Sequence, residues 1–278
     1  MRTVRLPDGT EVVALGQGTW RMGEGHRTRA VEADALRLGL DLGMTLIDTA
    51  EMYGDGGAEE VVGDAVAGRR AQAFIVTKVY PHNASRRGVA EACARSLKRM
   101  RIERVDLYLL HWRGSVKLAE TVAGFEDLRA AGKIAAWGVS NLDADELEEL
   151  RGVSGGDGCA TDQVLYNPQA RAIEFDLLPW CAGHAMPVMA YSPVGQGGAL
   201  LRAPALLSIA RRHSATPAQV AIAWALRQPG AIVIPKAADP AHVRDNADAA
   251  GLRLTGQDLA DIDAAFPPPR RKRRLEML

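Results

Sequence analysis

The stretch Gly43-Met44-Thr45-Leu46-Ile47-Asp48 is a short, nearly continuous apolar run that stops at a carboxylate. Strands apolar on both faces are the mark of a parallel sheet covered by helices. The polar residue at the end of the run therefore marks where the chain leaves the core. The pattern recurs downstream. Ala73-Phe74-Ile75-Val76 leads to Lys78, Val105-Asp106-Leu107-Tyr108-Leu109-Leu110 to His111, and Ile134-Ala135-Ala136-Trp137-Gly138-Val139 to Ser140-Asn141. Val13-Ala14-Leu15-Gly16 before them, and Ala160 to Leu165, Pro187-Val188-Met189-Ala190 and Ala231-Ile232-Val233-Ile234 after them, bring the strands to eight.

Helical patterns lie between the strands. Val89, Cys93, Leu97 and Met100 fall three or four residues apart, as do Leu118, Val122, Phe125 and Arg129, the arginine packing its stem under a solvated head. Asp143 with Glu146 and Thr255 with Asp258 read as capping boxes, and Thr216-Pro217-Ala218-Gln219 joins a cap residue to an N1 proline and an N3 glutamine. Eight alternating units without a linker predict an α/β fold, a (β/α)8 TIM barrel forming a single domain over residues 1–278. An open doubly wound sheet is the alternative. An N-terminal β-hairpin turning at Asp8-Gly9 precedes the repeat, and an extra C-terminal helix follows it. Gly195 to Arg202 reads as a long loop able to fold over a ligand.

The composition narrows the class of function. Lys plus Arg and Asp plus Glu both number 34, so no global field attracts nucleic acid or an acidic membrane, and a small neutral partner is expected. No stretch approaches the roughly 20 apolar residues of a membrane span, and Met1 to Pro7 lacks the apolar run of a signal peptide. Cys93, Cys159 and Cys181 show no C-x-x-C spacing, which predicts a reducing, cytoplasmic setting and no disulfide framework. A monomer is expected. Residues 266–278 read as an extended tail, whose basic run Pro267 to Arg274 is a solvated segment rather than a nucleic-acid arm, with Leu275 and Leu278 packing back onto the barrel.

In a parallel barrel the C-terminal strand ends meet at one face, where such folds carry their active sites. Taken singly, Asp48 reads as a loop cap, Lys78 as a surface cation and His111 as a core histidine; their shared placement argues for chemistry. A buried ammonium beside a tyrosine stabilises phenolate and turns the phenol into a usable acid. Lys78 is placed to act on Tyr53, with Asp48 as the partner of Lys78 and His111 orienting a carbonyl oxygen. That set describes carbonyl reduction. The six histidines show no metal-ligand spacing, so no metal is expected. Gly16-x-Gly18 lacks the third glycine of a dinucleotide fingerprint, so any nucleotide binds in another way.

Gly43 to Gly54 with Ala58-Glu59-Glu60-Val61-Val62-Gly63, then Val105 to Trp112, then Ile232 to Lys236, resemble the three signatures of the aldo-keto reductases over nearly the whole chain. The resemblance implies a catalytic tetrad of Asp48, Tyr53, Lys78 and His111, and a nicotinamide cofactor passing hydride to a carbonyl carbon. It implies that Ser140, Asn141 and Gln163 bond the carboxamide and that Tyr191 stacks on the nicotinamide ring. It also assigns to the cofactor Gly18, Thr19, Trp20 and Asp48, the run Ser192-Pro193-Val194-Gly195, and Ile234, Pro235, Lys236, Ala237, His242 and Asn246. NADPH is the expected cofactor and NADH the alternative: Lys236 suits a 2′-phosphate, but Ala237 and His242 stand where tight NADPH binders have a hydroxyl residue and an arginine. Arg244 is the candidate to replace that guanidinium.

Within the family, Gly16 to Trp20, Lys78-Val79-Tyr80-Pro81, Cys159-Ala160-Thr161, Leu177 to Cys181 and Ile234 to Ala237 are similar to the small bacterial methylglyoxal reductase type. This implies 2-oxoaldehydes and other short aldehydes as substrates, held in a pocket of Trp20, Tyr53, Tyr80, His111 and Trp112. Two rival readings stand beside it. One is a Schiff-base aldolase using Lys78; the other is an NADPH-binding redox sensor or accessory protein with slow turnover.

Overall fold

The computed structural model describes residues 1–278. In chain order the strands are β1 Thr3–Arg5, β2 Glu11–Val13, β3 Gln17–Gly18, β4 Leu46–Asp48, β5 Phe74–Val79, β6 Val105–Leu110, β7 Ile134–Ser140, β8 Cys159–Leu165, β9 Val188–Tyr191 and β10 Ala231–Ile234. The helices are α1 Arg29–Asp41, α2 Gly57–Val66, α3 Arg86–Met100, α4 Leu118–Ala130, α5 Ala144–Arg151, α6 Leu177–Gly183, α7 Pro204–Arg212, α8 Pro217–Leu226, α9 Pro240–Asp248 and α10 Gly256–Ala265. Strands β3 to β10 pair in parallel in sequence order, and single bridges from Leu15 to Val233 and from Gly18 to Lys236 close the barrel.

The first barrel strand begins later than its apolar run suggests. Val13 is paired with Thr3 in the hairpin, and the barrel pairing is taken up by Leu15 to Gly18. Gly16 and Gly18 serve this closure: a Cβ on Gly16 would lie 2.7 Å from Leu46 Cδ2, and one on Gly18 3.0 Å from the Ile234 carbonyl. In α4 the buried face runs through Leu118, Val122, Phe125 and Leu128, while Arg129 is exposed and bonds Glu126. The expected burial of the Arg129 stem is thus taken by Leu128, which falls on the apolar stripe.

Period-two alternation sorts the strand residues into two cores. Leu46, Val76, Leu107, Leu109 and Ala136 point into the barrel, where they meet Val4, Leu6 and Val12 of the hairpin, which plugs one end. Ile47, Ile75, Tyr108, Leu110 and Val139 point outward into the larger layer beneath the helices. Continuing the inward set by two or four residues reaches Asp48, Lys78, His111 and Ser140, so the alternation that fills the barrel also aims the polar side chains at its open end.

All three expected helix caps are present, at Asp143, Thr216 and Thr255, each with reciprocal side-chain bonds. The Gly195 to Arg202 segment forms two short 3-10 turns. It is followed by two helices, α7 and α8, before β10. The extra helix α10 is clamped to α7 through Asp258, which accepts from Arg212 at 2.6 Å and contacts His213 at 2.7 Å. Residues 266–278 contain no helix or strand. Lys272 pairs with Asp145 and Asp176, Leu275 packs on the core, and Leu278 reaches the barrel mouth while 71% exposed. No helix is long and apolar enough to cross a membrane.

Candidate active site

At the C-terminal end of the barrel lies a cavity of about 450 Å³, within the range of small-molecule sites. Lys78 sits beneath it with no exposed surface. Its ammonium donates to Asp48 Oδ2 at 2.8 Å, to the Thr49 carbonyl at 2.8 Å and to the Tyr53 hydroxyl oxygen at 3.2 Å. Because that oxygen accepts from Lys78, the phenolic hydrogen is free for the cavity. Tyr53 is held there by a tight turn after β4, in which its N–H bonds the Ala50 carbonyl and Gly54, Asp55 and Gly56 all take positive φ.

Burial dominates the electrostatics. It pushes the Tyr53 phenol well above its ordinary range, and the Asp48 charge adds to the effect. The resting side chain is therefore a neutral phenol. Burial also raises Asp48 and lowers Lys78, each opposed by the charge of the other, with Gln163 helping to hold Asp48 ionised. His111 is driven well below its usual value by burial and by Lys78, so its imidazole is neutral. Its Nδ1 is buried without a hydrogen-bond partner in the protein.

A connected set of amides lies beside these groups. Backbone turns with positive φ at Asn141 and Ser192, just past β7 and β9, reverse the chain at the cavity rim, a conformation that asparagine tolerates well. Tyr191 donates to Asn141 Oδ1 at 3.0 Å, Asn141 Nδ2 donates to the His111 carbonyl at 3.1 Å, and Ser140 Oγ to the Gln163 carbonyl at 2.7 Å. Gln163 Nε2 in turn donates to Asp48 Oδ1 at 2.7 Å.

Of the expected site residues, Gly18, Thr19, Trp20, Asp48, Tyr53, His111, Trp112, Ser140, Asn141, Gln163, Tyr191, Ser192, Pro193, Val194, Ile234, Lys236, His242 and Asn246 all line this one cavity. Tyr80 does not. It packs edge-on behind Trp112, with ring centroids 5.8 Å apart, and against His82, because its N–H is tied to Glu51 at 2.8 Å. Gly195, Pro235 and Ala237 also lie outside the lining; the Pro235 carbonyl is used to bond Gly18. Arg244 is exposed on α9 away from the cavity. Arg21 lines it instead and lies close enough to Lys236 to lower its basicity, after burial and alongside Arg27.

The loop expected to fold over a ligand contributes Gln196 and Leu201, and the tail expected to pack back contributes Leu278, whereas Met52, Met277 and Asp245 were not singled out from sequence. Adjacency to Tyr53 and Asn246 was available as a signal for Met52 and Asp245. None existed for Met277. Trp20 stands edge-on to Tyr53 at 5.0 Å, and Tyr53 edge-on to His111 at 5.7 Å, so the hydroxyl lies at the foot of an aromatic cleft.

A closed parallel barrel with this cluster at the ends of its strands is the architecture of the aldo/keto reductase family, whose model matches residues 14–266, and the chain belongs to that family. It is 49% identical to the methylglyoxal reductase YeaE of Escherichia coli (strain K12), covering 100% of this chain and 99% of that one. It is 32% identical to the glyoxal reductase of Bacillus subtilis (strain 168), over 94% of this chain and 92% of the relative. The crystal structure of an aldo-keto reductase from Klebsiella pneumoniae in complex with NADPH superposes with a TM-score of 0.97 at 48% identity, covering 100% of this chain and 99% of that chain.

Proposed function

We propose that the chain reduces small aldehydes, above all 2-oxoaldehydes such as methylglyoxal, to alcohols with NADPH. The observation that carries this reading is the buried Asp48–Lys78–Tyr53 chain, at 2.8 and 3.2 Å, opening onto a cavity shared with neutral His111. The kinship with methylglyoxal and glyoxal reductases supports the substrate class.

The cavity fits a nicotinamide nucleotide. Tyr191 offers an aromatic face, Ser140, Asn141 and Gln163 offer amide and hydroxyl groups, and Lys236 with Arg21 forms a cationic end beside His242 and Asn246. When bound, NADPH supplies the hydride for the carbonyl carbon. The remaining chemistry belongs to the chain. Tyr53 gives its proton to the carbonyl oxygen, and the phenolate left behind is stabilised by Lys78, which Asp48 holds in place. Neutral His111 donates to the same oxygen and sets its direction. Trp20, Met52, Trp112 and Leu201 exclude water from a small, uncharged substrate.

Lys78 spends three donors on Asp48, Thr49 and Tyr53 and does not line the cavity, which argues against its use as a Schiff-base nucleophile. We further propose that the chain acts as a monomeric single domain in the cytoplasm; its three cysteines are buried free thiols. The test is to mix purified protein with methylglyoxal and either NADPH or NADH and follow nicotinamide absorbance. Faster loss with NADPH is expected. Loss with NADH alone overturns the cofactor assignment, and loss with neither, across short aldehydes, overturns the reductase.

A further inference from the structure

We infer that Gln163 is a positioning residue for the Asp48–Lys78 pair, in addition to any contact it makes with the nicotinamide carboxamide; the inference rests on Tyr53 being the proton donor assisted by Lys78. The local geometry is unusual. Between β7 and β8 the register slips, so that Trp137 faces Cys159 but Val139 faces Asp162. This irregularity breaks the alternation of β8: Ala160 points into the barrel, yet three residues later Gln163 also reaches inward to Asp48. Such irregularities re-aim side chains next to active sites.

The carboxylate of Asp48 is shared between two donors. Oδ2 receives Lys78, and Oδ1 receives only Gln163 Nε2, at 2.7 Å. The same Nε2 lies 2.8 Å from Met189 Sδ. Its hydrogens are thus committed within the protein, and what it can present to a ligand is the amide oxygen. Both partners are buried, Asp48 at 2% exposure and Gln163 at 1%. A buried carboxylate oxygen deprived of its donor is costly, and taking up a proton relieves the cost. Asp48 would then cease to anchor Lys78, and Lys78 would cease to be aligned on Tyr53.

The titratable groups around this pair are Tyr53 on the β4 turn, His111 after β6 and Glu59 on α2, whose charge reaches Lys78 from behind. Asp162, next to Gln163 in sequence, is itself fully buried. The neighbouring strands β7 and β9 bring Ser140 and Met189, which carry no charge.

Two variants test the inference. Gln163→Met removes the donor at nearly constant volume. Gln163→Glu restores a donor only while its carboxyl is protonated. The readouts are kcat at saturating NADPH and methylglyoxal across pH, NADPH affinity by fluorescence, and the melting temperature of the cofactor-free protein across pH. For Gln163→Met the acid limb of kcat is expected to move to higher pH, with at least a roughly tenfold loss at the acid end. Its melting deficit should narrow as the pH falls and Asp48 takes up its proton. For Gln163→Glu the trend reverses, with rate retained at low pH and lost as the pH rises. If Gln163→Met does not fold, the direction of the Gln163→Glu profile decides alone. Wild-type pH profiles with only weakened NADPH binding overturn the inference and leave Gln163 to the cofactor. Tyr53→Phe, run in parallel, separates the two levels. Wild-type turnover there removes the proton-donor reading, whereas an inactive Tyr53→Phe with unshifted Gln163 profiles removes the inference alone.

Discussion

Arg21 and Arg244 illustrate how a charge expected from sequence can be supplied from elsewhere in space. Arg244 follows His242 closely in the chain, but α9 directs it to solvent, while Arg21, on the loop after β3, shares the cavity with Lys236. Arg21→Ala is therefore expected to raise the KM for NADPH several-fold with little change in kcat, the signature of lost uniform binding. Arg244→Ala should leave both near wild type; steady-state kinetics with varied NADPH checks the pair. Asp162 offers a second test. Its carboxyl is fully buried and has no side-chain partner; burial pushes it well above the usual carboxylate range, with the nearby Glu146 and Asp143 adding to the shift and only the Leu142 N–H opposing it. A carboxyl whose folded value is raised costs stability as pH climbs from its unfolded value towards the folded one. Asp162→Asn is thus expected to raise the melting temperature at pH 7 to 8, with the gain shrinking in acid. An unchanged or lower melting temperature at pH 8 would mean that the Leu142 N–H offsets the cost of burying the charge.

Among the elements, α10 is tied down by three carboxylates, Asp258 and Asp261 to Arg212 and Asp263 to Arg171, and Asp258 is the buried one. Burial pushes Asp258 up, but hydrogen bonds from Arg212, Thr255 and His213 more than offset it, and its value falls well below the ordinary range. Stability from a lowered carboxyl is present above its unfolded pKa, near 3.9, and is lost as pH falls below that point. Asp258→Asn should cost about 1–2 kcal/mol through the lost cap and charged bonds, a fall of roughly 2–8 °C in melting temperature, and the difference from wild type should fade in acid. The helix caps and strand ends were readable from sequence because they are local: Thr255-x-x-Asp258 is a chemical pattern, and Asp48, Lys78 and His111 each follow the last inward apolar residue at a spacing of two. The inward turn of Gln163 was not readable in the same way. It depends on a register slip between β7 and β8, which is a relation between strands rather than a pattern within one. The late start of β3 has a similar cause, since Val13 satisfies strand propensity in either partner and the hairpin takes it.

Across the whole molecule, the tail was legible in part. Pro267 to Arg274 reads as a solvated basic segment and Leu275 and Leu278 as returning to the barrel; Lys272 lies on Asp145 and Asp176, Leu275 on the core, and Met277 and Leu278 at the cavity. What the sequence did not announce is that the return ends at the cavity, because the tail has no regular structure whose periodicity could fix where its last residues lie. Deleting residues 267–278 is expected to change the melting temperature little, since its ion pairs are largely exposed and such pairs contribute about 0–1 kcal/mol. The same deletion should raise the KM for methylglyoxal several-fold by opening one wall of the cavity. A large drop in melting temperature with unaltered kinetics would instead make the tail a structural strap. The central claim for the molecule remains that the barrel gathers Asp48, Lys78 and His111 around one phenol so that this phenol can protonate a carbonyl. Its most direct test is Tyr53→Phe, measured for methylglyoxal turnover and, separately, for NADPH affinity by fluorescence. The expected result is a loss of roughly 10²–10⁴ in kcat with NADPH affinity within about twofold of wild type; turnover at the wild-type rate would contradict the assignment of Tyr53 as proton donor.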